Sequence, residues 1–509
     1  MIVTLVLFNA VVVLLSVFIL WRRRKHFQML EQGGIPTPDA HWLTGHLDHV
    51  TYSPGKFTST SCHFLVYNYP NFPPLSCRVR YYNGGFPRVL VADLDMLRDI
   101  LVKDAHNFVN RPVVISQSKM LIALRDQHWK DVRKIMSPVF STAKMKKMMP
   151  LMSGCVEVLL QKCHQLAASG QEFDIYVTLQ CLTMDVIDRC AITLGLQCIN
   201  NPENEVLENF RRLFNRPPSL VTRLMHTFPS LLTLLSTAMR FAGAGLHRHK
   251  NAIVDHLRRV VKERREQQGH AGVEKSIDAL QMLIDASCDG KQTSGKTTLS
   301  EQEVVDNAFL FLAAGFETTS NALSYIAHLL ALHPGVQEQL FQEVTRVVQA
   351  EGGLTYETLA QLVYTEAVAM EAMRMYPPVT GFVLRETARP WTRGAYTFPA
   401  KSEVEVPVWS IHNDPLIYPD PHLFKPERFL PEEKKNRHPM AFLAFGTGPR
   451  NCLGIRFAMM EIKLTLGTII QNFRFKTCSR TKVPLPLVTR GALTHPQDGV
   501  WLTLEPRAR

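Results

Sequence analysis

No Cys-x-x-Cys pair occurs in this chain, and its ten cysteines are scattered from Cys62 to Cys478. That spacing argues against a zinc site and against a disulfide scaffold, and it fits free thiols in a reducing compartment. Acidic residues are in deficit, since 45 Asp and Glu against 57 Lys and Arg leave a net charge of +12. No aromatic-interleaved basic motif or zinc-finger spacing accompanies the excess, so no nucleic-acid partner is expected. A membrane surface and an acidic protein partner explain the charge better. Compositional bias is absent as well: with 46% hydrophobic and 20% charged residues, the chain can build a large core unaided. Its 509 residues would admit three average domains. Its recognisable motifs nevertheless span most of the length, which predicts one catalytic domain.

Long apolar runs are scarce, with one exception at the start. Residues 2–21 are interrupted only by Thr4, Asn9 and Ser16, and Arg22, Arg23, Arg24 and Lys25 come directly after them. About twenty such residues span a bilayer. A cleaved secretory peptide is the competing reading, but no basic segment precedes the run and no small-x-small cleavage site succeeds it. The positive-inside rule then leaves the body of the protein in the cytosol. We divide the chain into an anchor with its basic stop at 1–25, a Pro/Gly hinge at 26–40 around Gly33, Gly34, Pro36 and Pro38, and a catalytic domain at 41–509. Residues 220–245 are again unusually apolar and end near His247, Arg248, His249 and Lys250. They read equally as a buried helix pair or as an interfacial membrane contact beside a substrate entrance.

Between residues 76 and 92, alternation split by Asn83, Gly84 and Gly85 predicts a β-hairpin. Most of the chain beyond residue 92 reads as helix. Ser300, Glu301, Gln302 and Glu303 form a capping box, and no proline intervenes before Pro334, which predicts a helix of about 33 residues and roughly 50 Å. A short helix at 277–286 is expected inside an otherwise exposed connector, 269–298.

The chemistry is concentrated near the C-terminus. Cys452 lies between Gly448 and Gly454, just before an apolar-periodic stretch, 455–466, that reads as a helix. A thiol at a helix start meets unpaired N–H groups and the positive end of the macrodipole, which lower its pKa and suit a thiolate to hold a metal. Both glycines would let backbone approach the sulfur closely. Arg450, two residues earlier, is placed to meet an anion carried by the same cofactor.

Phe445, Gly448, Arg450, Cys452 and Gly454 reproduce the haem-binding signature Phe-x-x-Gly-x-Arg-x-Cys-x-Gly, and here the chain resembles the cytochrome P-450 family. The resemblance is strongest at 107–148 and from 300 onward. Within the family it is similar to the clan that holds the drug-metabolising 3A enzymes and thromboxane-A synthase. It implies a mainly α fold with small β-sheets, a triangular prism behind one N-terminal transmembrane helix, and haem b with Cys452 as axial ligand to iron.

Further motifs carry the resemblance. Ala313, Ala314, Gly315, Phe316, Glu317 and Thr318 match the family's small-Gly-x-acid-Thr pattern. Ala314 and Thr318 share a helix face; a back-bonding threonine opens the helix locally, and Gly315 would leave room beside it for a small ligand. The resemblance makes Thr318 and Glu317 the catalytic pair, with Glu317 moving protons inward and Thr318 passing them to dioxygen. It likewise implies haem-propionate contacts for Trp129, Arg133, Arg111 and Arg385. It implies a structural triad of Glu371, Arg374 and Arg428, locking the segment that carries Cys452. Lys130, Lys134, Lys144, Lys146 and Lys147 make one surface basic, the face on which the family docks its flavoprotein reductase. Apolar pocket candidates are 115–124, Phe309, Ala313, 380–384, Ala492 and Leu493.

The expectation is therefore a haem-thiolate monooxygenase of the endoplasmic reticulum membrane, single-pass and facing the cytosol. It would place one atom of dioxygen in a lipophilic substrate, a steroid, fatty acid or xenobiotic. Electrons would come from NADPH through the reductase, with cytochrome b5 as an optional further partner. An isomerase that rearranges lipid peroxides or endoperoxides without NADPH is the alternative, and a non-enzymatic haem sensor a distant third.

Overall fold

The computed structural model describes residues 78–112, 118–215, 220–228, 248–267, 278–287 and 298–507, with Val13, Leu14, Val17, Phe18 and Trp21. Those five are helical and largely exposed. The rest of the expected anchor, its basic stop and the hinge lie outside the described residues, as does 115–117 of the pocket candidates. No helix among the described residues is long and apolar enough to cross a membrane.

The architecture is mainly helical with small sheets. The predicted hairpin is present as β1 (Arg78–Asn83) and β2 (Phe86–Val91), antiparallel with Asn83 opposite Phe86. Its turn needs glycine twice over: Gly84 has φ +67°, and a Cβ there would lie 2.3 Å from the His226 carbonyl oxygen. His226 belongs to the helix Leu220–Thr227, and its carbonyl accepts from the Gly85 N–H at 2.7 Å. With Met225 and Thr227 buried, this first part of the apolar 220–245 segment packs against protein; 229–245 lies outside the described residues.

Two further strands, β4 (Leu384–Glu386) and β7 (Glu403–Glu405), extend the hairpin. β7 pairs parallel with β2 and antiparallel with β4, giving a four-stranded sheet of order β1-β2-β7-β4. Arg385 is the buried middle residue of β4. The hairpins β5 (Trp391–Arg393) with β6 (Tyr396–Phe398) and β9 (Leu487–Arg490) with β10 (Leu493–Pro496) stand apart. β3 (Phe173–Asp174) and β8 (Phe473–Lys476) flank β11 (Trp501–Pro506).

The long helix runs Glu301–Leu332, and its N-terminus is fixed by the capping box. Glu303 accepts from the Ser300 N–H at 2.8 Å while the Ser300 hydroxyl accepts from the Glu303 N–H at 3.3 Å. Pro334 opens the next helix, Pro334–Glu351, where its missing N–H costs nothing. The short connector helix is present at Ala279–Asp285. The long helix packs along the helix Ile175–Ile187, and Thr183 donates to the Phe316 carbonyl at 2.9 Å. Gly315 belongs to this contact. A Cβ there would lie 2.7 Å from Ile187 Cγ1, so Ile187 fills the space that the motif alone suggests for a small ligand. Phe309 is also committed to the core, stacked on Phe210 at 5.5 Å between centroids. Burying each such ring contributes about 1.5–3 kcal/mol.

Candidate active site

The cysteine loop closes on itself before its helix begins. The Cys452 N–H donates to the Phe445 carbonyl at 2.9 Å, and Gly446 and Gly448 take left-handed φ values of +65° and +70°. A Cβ on Gly448 would lie 1.9 Å from the Leu101 carbonyl oxygen. This glycine is therefore demanded by the neighbouring turn and not by approach to the sulfur. Gly454 caps the helix Ile455–Asn472 with an ordinary φ of −94°, and the nearest atoms to a Cβ there are Phe140 ring carbons at 3.8 Å. The helix runs six residues past the predicted end because apolar periodicity gives way to a strand only at Phe473.

Cys452 is exposed in this loop and free. Crowding by protein nevertheless pushes its thiol up, while the Gly454 N–H, Arg133 and Arg111 pull it down. The pull expected of a helix start exists but is outweighed, so full deprotonation falls to a bound metal.

Around the loop stand four guanidiniums, and none of them pairs with a carboxylate among the described residues. Arg450 is 4% exposed and donates to the carbonyls of Val109 at 2.8 Å and Leu124 at 2.8 Å. Its guanidinium lies 3.8 Å from the Trp129 ring centroid, and Arg133 covers the same ring at 5.7 Å. Local helix geometry explains the second contact, because Trp129 and Arg133 share a face of the helix Asp126–Met136. Arg133 donates to the Asn451 carbonyl at 3.1 Å and to its side-chain oxygen at 2.7 Å, tying that helix to the residue before Cys452. Arg111 donates to the Arg450 carbonyl at 3.2 Å and leaves its buried Nε without a partner among the described residues. Arg385 donates to the Leu384 carbonyl at 2.8 Å.

Burial first, and then the other arginines, push these groups down: Arg111 to about 10, Arg385 to about 9 and Arg450 to about 8. A guanidinium does not normally give up its proton, so such depression measures an unmet need for an anion. Nearby Arg125, by contrast, has its own carboxylate in Glu386, at 2.5 Å. A cofactor carrying two carboxylates beside a sulfur-ligated metal fits what these residues lack.

On the long helix, the Thr318 hydroxyl donates to the Ala314 carbonyl at 2.7 Å. The helix nevertheless continues unbroken through this turn. Ala314 is exposed and Ala313, Gly315 and Thr318 are half-buried, in the middle of a helix whose other residues are almost all buried. Glu317 points elsewhere. It is 1% exposed and is held by Tyr176, by Gln180 at 3.2 Å, by Asn321 at 3.4 Å and by His495 at 2.8 Å. The structure thus places acid and alcohol on adjacent residues with different surroundings. Tyr176, Gln180 and His495 are invisible to motif reading because they lie between 137 and 178 positions from Glu317 along the chain.

The triad assembles beneath the loop. Arg374 meets Glu371 through two bonds of 2.7 and 2.9 Å, both side chains fully buried, and Arg428 approaches Glu371 at 3.4 Å. Arg374 also donates to the His412 carbonyl at 2.8 Å, while the His412 ring accepts from the Leu443 N–H at 2.9 Å. Burial and Arg374 push His412 down to about 3, so it stays a neutral acceptor. This chain of bonds ends two residues before Phe445.

On the outer side of the loop, a shallow hollow of about 450 Å³ is lined by Trp129, Lys130, Arg133, Lys134, Ser137, Pro449 and Asn451. Lys146 is drawn off this basic face by Glu357 at 2.6 Å.

No group of three or more His, Cys, Asp or Glu suited to a bare metal ion occurs among the described residues. One thiol beside guanidiniums that lack a carboxylate instead defines a haem-thiolate enzyme. The family model for Cytochrome P450 matches residues 36–503, and the chain belongs to the cytochrome P450 family. It is 33% identical to Cytochrome P450 3A29 of Sus scrofa over 84% of each chain. It is also 33% identical to Thromboxane-A synthase of Sus scrofa, over 98% of this chain and 97% of that one. The Thromboxane-A synthase of Rattus norvegicus is 32% identical over 98% of both.

Proposed function

We propose that this enzyme is a haem-thiolate monooxygenase acting on a lipophilic substrate with electrons from NADPH delivered by a flavoprotein reductase. Cys452 would ligate the haem iron. Arg450, Arg133, Arg111, Arg385 and Trp129 would receive the propionates, and Phe445 would pack beside the thiolate. The observation that carries the reading is the Glu317–Thr318 pair, with Thr318 on an open patch in the middle of a largely buried helix and Glu317 bonded into a polar cluster. When bound, haem would supply activation of dioxygen, and a thiolate ligand from Cys452 would favour O–O cleavage. The chain supplies the protons. Thr318 holds a hydroxyl at the patch, oriented by the Ala314 carbonyl, and Glu317 stands one residue away as the source that replenishes it.

The basic hollow lined by Asn451 would bring a docking partner within one residue of Cys452. Lys130 and Lys134 on its rim suit an acidic reductase, with cytochrome b5 as a second candidate for the same face. Residues 1–25 would anchor the protein once in the endoplasmic reticulum membrane, with 41–509 as a single cytosolic domain behind the 26–40 hinge. A second reading, rearrangement of a lipid endoperoxide without NADPH, draws support from the end-to-end similarity to thromboxane-A synthases.

Thr318→Ala tests the relay. Haem binding should survive, while NADPH electrons pass from product to hydrogen peroxide. Unchanged coupling would reduce Thr318 to a packing residue.

A further inference from the structure

Glu317 is more tightly held than a carboxyl that simply swings between solvent and Thr318. Its Oε1 alone receives the Tyr176 hydroxyl, lies 2.8 Å from His495 Nδ1 and accepts from Asn321 at 3.4 Å, while Oε2 accepts from Gln180 at 3.2 Å. Three of these four partners are buried: Gln180 at 3%, Asn321 at 0% and His495 at 1%. Tyr176 alone is half-buried, so it is the member of the cluster nearest to water. The hydroxyl also lies 3.4 Å from His495 Nδ1, closing a triangle of three exchangeable groups.

Both Tyr176 and His495 carry a further mark. His495 leaves its other ring nitrogen, Nε2, buried without a partner among the described residues. Leaving a buried nitrogen unsatisfied is costly, and a ring serving only to pack would avoid it. Tyr176 remains a donor, because burial and the Glu317 carboxylate push its hydroxyl well above the ordinary phenol value. Neither residue is a packing accident of one element. Tyr176 lies in the first turn of the helix Ile175–Ile187, whose N-cap Asp174 accepts from its N–H at 3.0 Å, and His495 sits in β10 beside Thr494, which is tied to Tyr325.

We propose that Tyr176 and His495 are positioning residues for proton delivery, holding Glu317 behind the long helix and returning a proton to it after each transfer to Thr318. This rests on reading Thr318 and Glu317 as the relay. The proton taken from Glu317 is replaced through the Tyr176 hydroxyl, which passes its own as it takes one from water, while His495 Nδ1, 2.8 Å from Glu317 Oε1 and 3.4 Å from the Tyr176 hydroxyl, holds the two together. Reduction of dioxygen to water by NADPH consumes the protons, four per dioxygen when no substrate is oxidised.

The test uses the full-length haem protein with reductase and NADPH, without added substrate, and compares Tyr176→Phe, His495→Gln, Glu317→Gln and Thr318→Ala. Tyr176→Phe removes only the hydroxyl, and the ferrous carbonyl spectrum verifies the fold of each variant. Tyr176→Phe and His495→Gln should each slow water formation by roughly tenfold or more, raise the share of hydrogen peroxide per NADPH and enlarge the solvent isotope effect. A readout free of turnover is the ¹⁵N signal of His495 Nδ1, identified by its loss in His495→Gln. It should move in both Tyr176→Phe and Glu317→Gln. If Thr318→Ala and Glu317→Gln change the peroxide share but Tyr176→Phe and His495→Gln do not, the positioning role is overturned and the relay stands. If all four leave it unchanged, the relay itself falls, and an unmoved ¹⁵N signal refutes the cluster in solution.

Discussion

Cys452→Ala protein is expected to lose the long-wavelength band of the ferrous carbonyl complex completely. The band reports a thiolate ligand on the haem iron, and among the described residues Cys452 is the one cysteine in a loop bounded by left-handed glycines and a helix start. Cys155, Cys163 and Cys190 are poor alternatives because they are buried out of reach of a cofactor, whereas Cys452 is exposed. Burial pushes Cys155 and Cys163 up to about 12, and Cys190 well above the ordinary thiol value. The substitution removes one sulfur from an exposed side chain, so the fold should survive, and helix content measured by circular dichroism should match the parent. Retention of the band in such folded protein would remove Cys452 from the metal.

Glu371→Ala is expected to yield little or no haem-loaded protein. The carboxylate offsets two guanidiniums, Arg374 and Arg428, and also accepts from the Lys425 N–H at 3.0 Å. Removing one partner of a buried pair costs about 3–5 kcal/mol, because the charge left behind has no compensation. That is a large share of a stability that rarely exceeds about 15 kcal/mol. The loss should reach the cysteine loop through Arg374, the His412 carbonyl, the His412 ring and the Leu443 N–H. Soluble yield, melting temperature and haem stoichiometry are the readouts. Arg428→Ala, at 3.4 Å and with its head group also on the Pro419 and Asp420 carbonyls, should cost less. Equal and small effects from both changes would show that the triad is not what holds the loop.

Local signals in the sequence are legible for a physical reason. The hairpin depends on residues adjacent to Gly84, the capping box on Ser300 and Glu303, and the cysteine loop on a few fixed positions. Features set by distant partners are not legible. Glycine at 315 announces that a side chain is unwelcome, but only the fold reveals that Ile187 is the neighbour. Gly448 is likewise explained by Leu101, not by Cys452. The thiol of Cys452 is pushed up rather than down because crowding by folded protein, which no spacing encodes, outweighs the helix start. The same holds for Glu317, whose partners come from the helix Ile175–Ile187 and from β10, and for Arg450, whose head group is steered by carbonyls of 109–124. The parallel pairing of β2 with β7, which carries Arg385 into the site through β4, joins strands more than 300 residues apart.

Whether the Glu317–Thr318 pair serves reduction of dioxygen is decided by isotope labelling. Purified protein with reductase and NADPH is supplied with ¹⁸O-labelled dioxygen and a panel of steroids, fatty acids and xenobiotics, and in a parallel reaction with a lipid endoperoxide and no reductant. A monooxygenase places one labelled atom in a lipophilic product, requires NADPH to do so, and turns over the endoperoxide slowly. Fast rearrangement of the endoperoxide without NADPH, with no labelled oxygen in any product, would refute that function and establish the isomerase in its place.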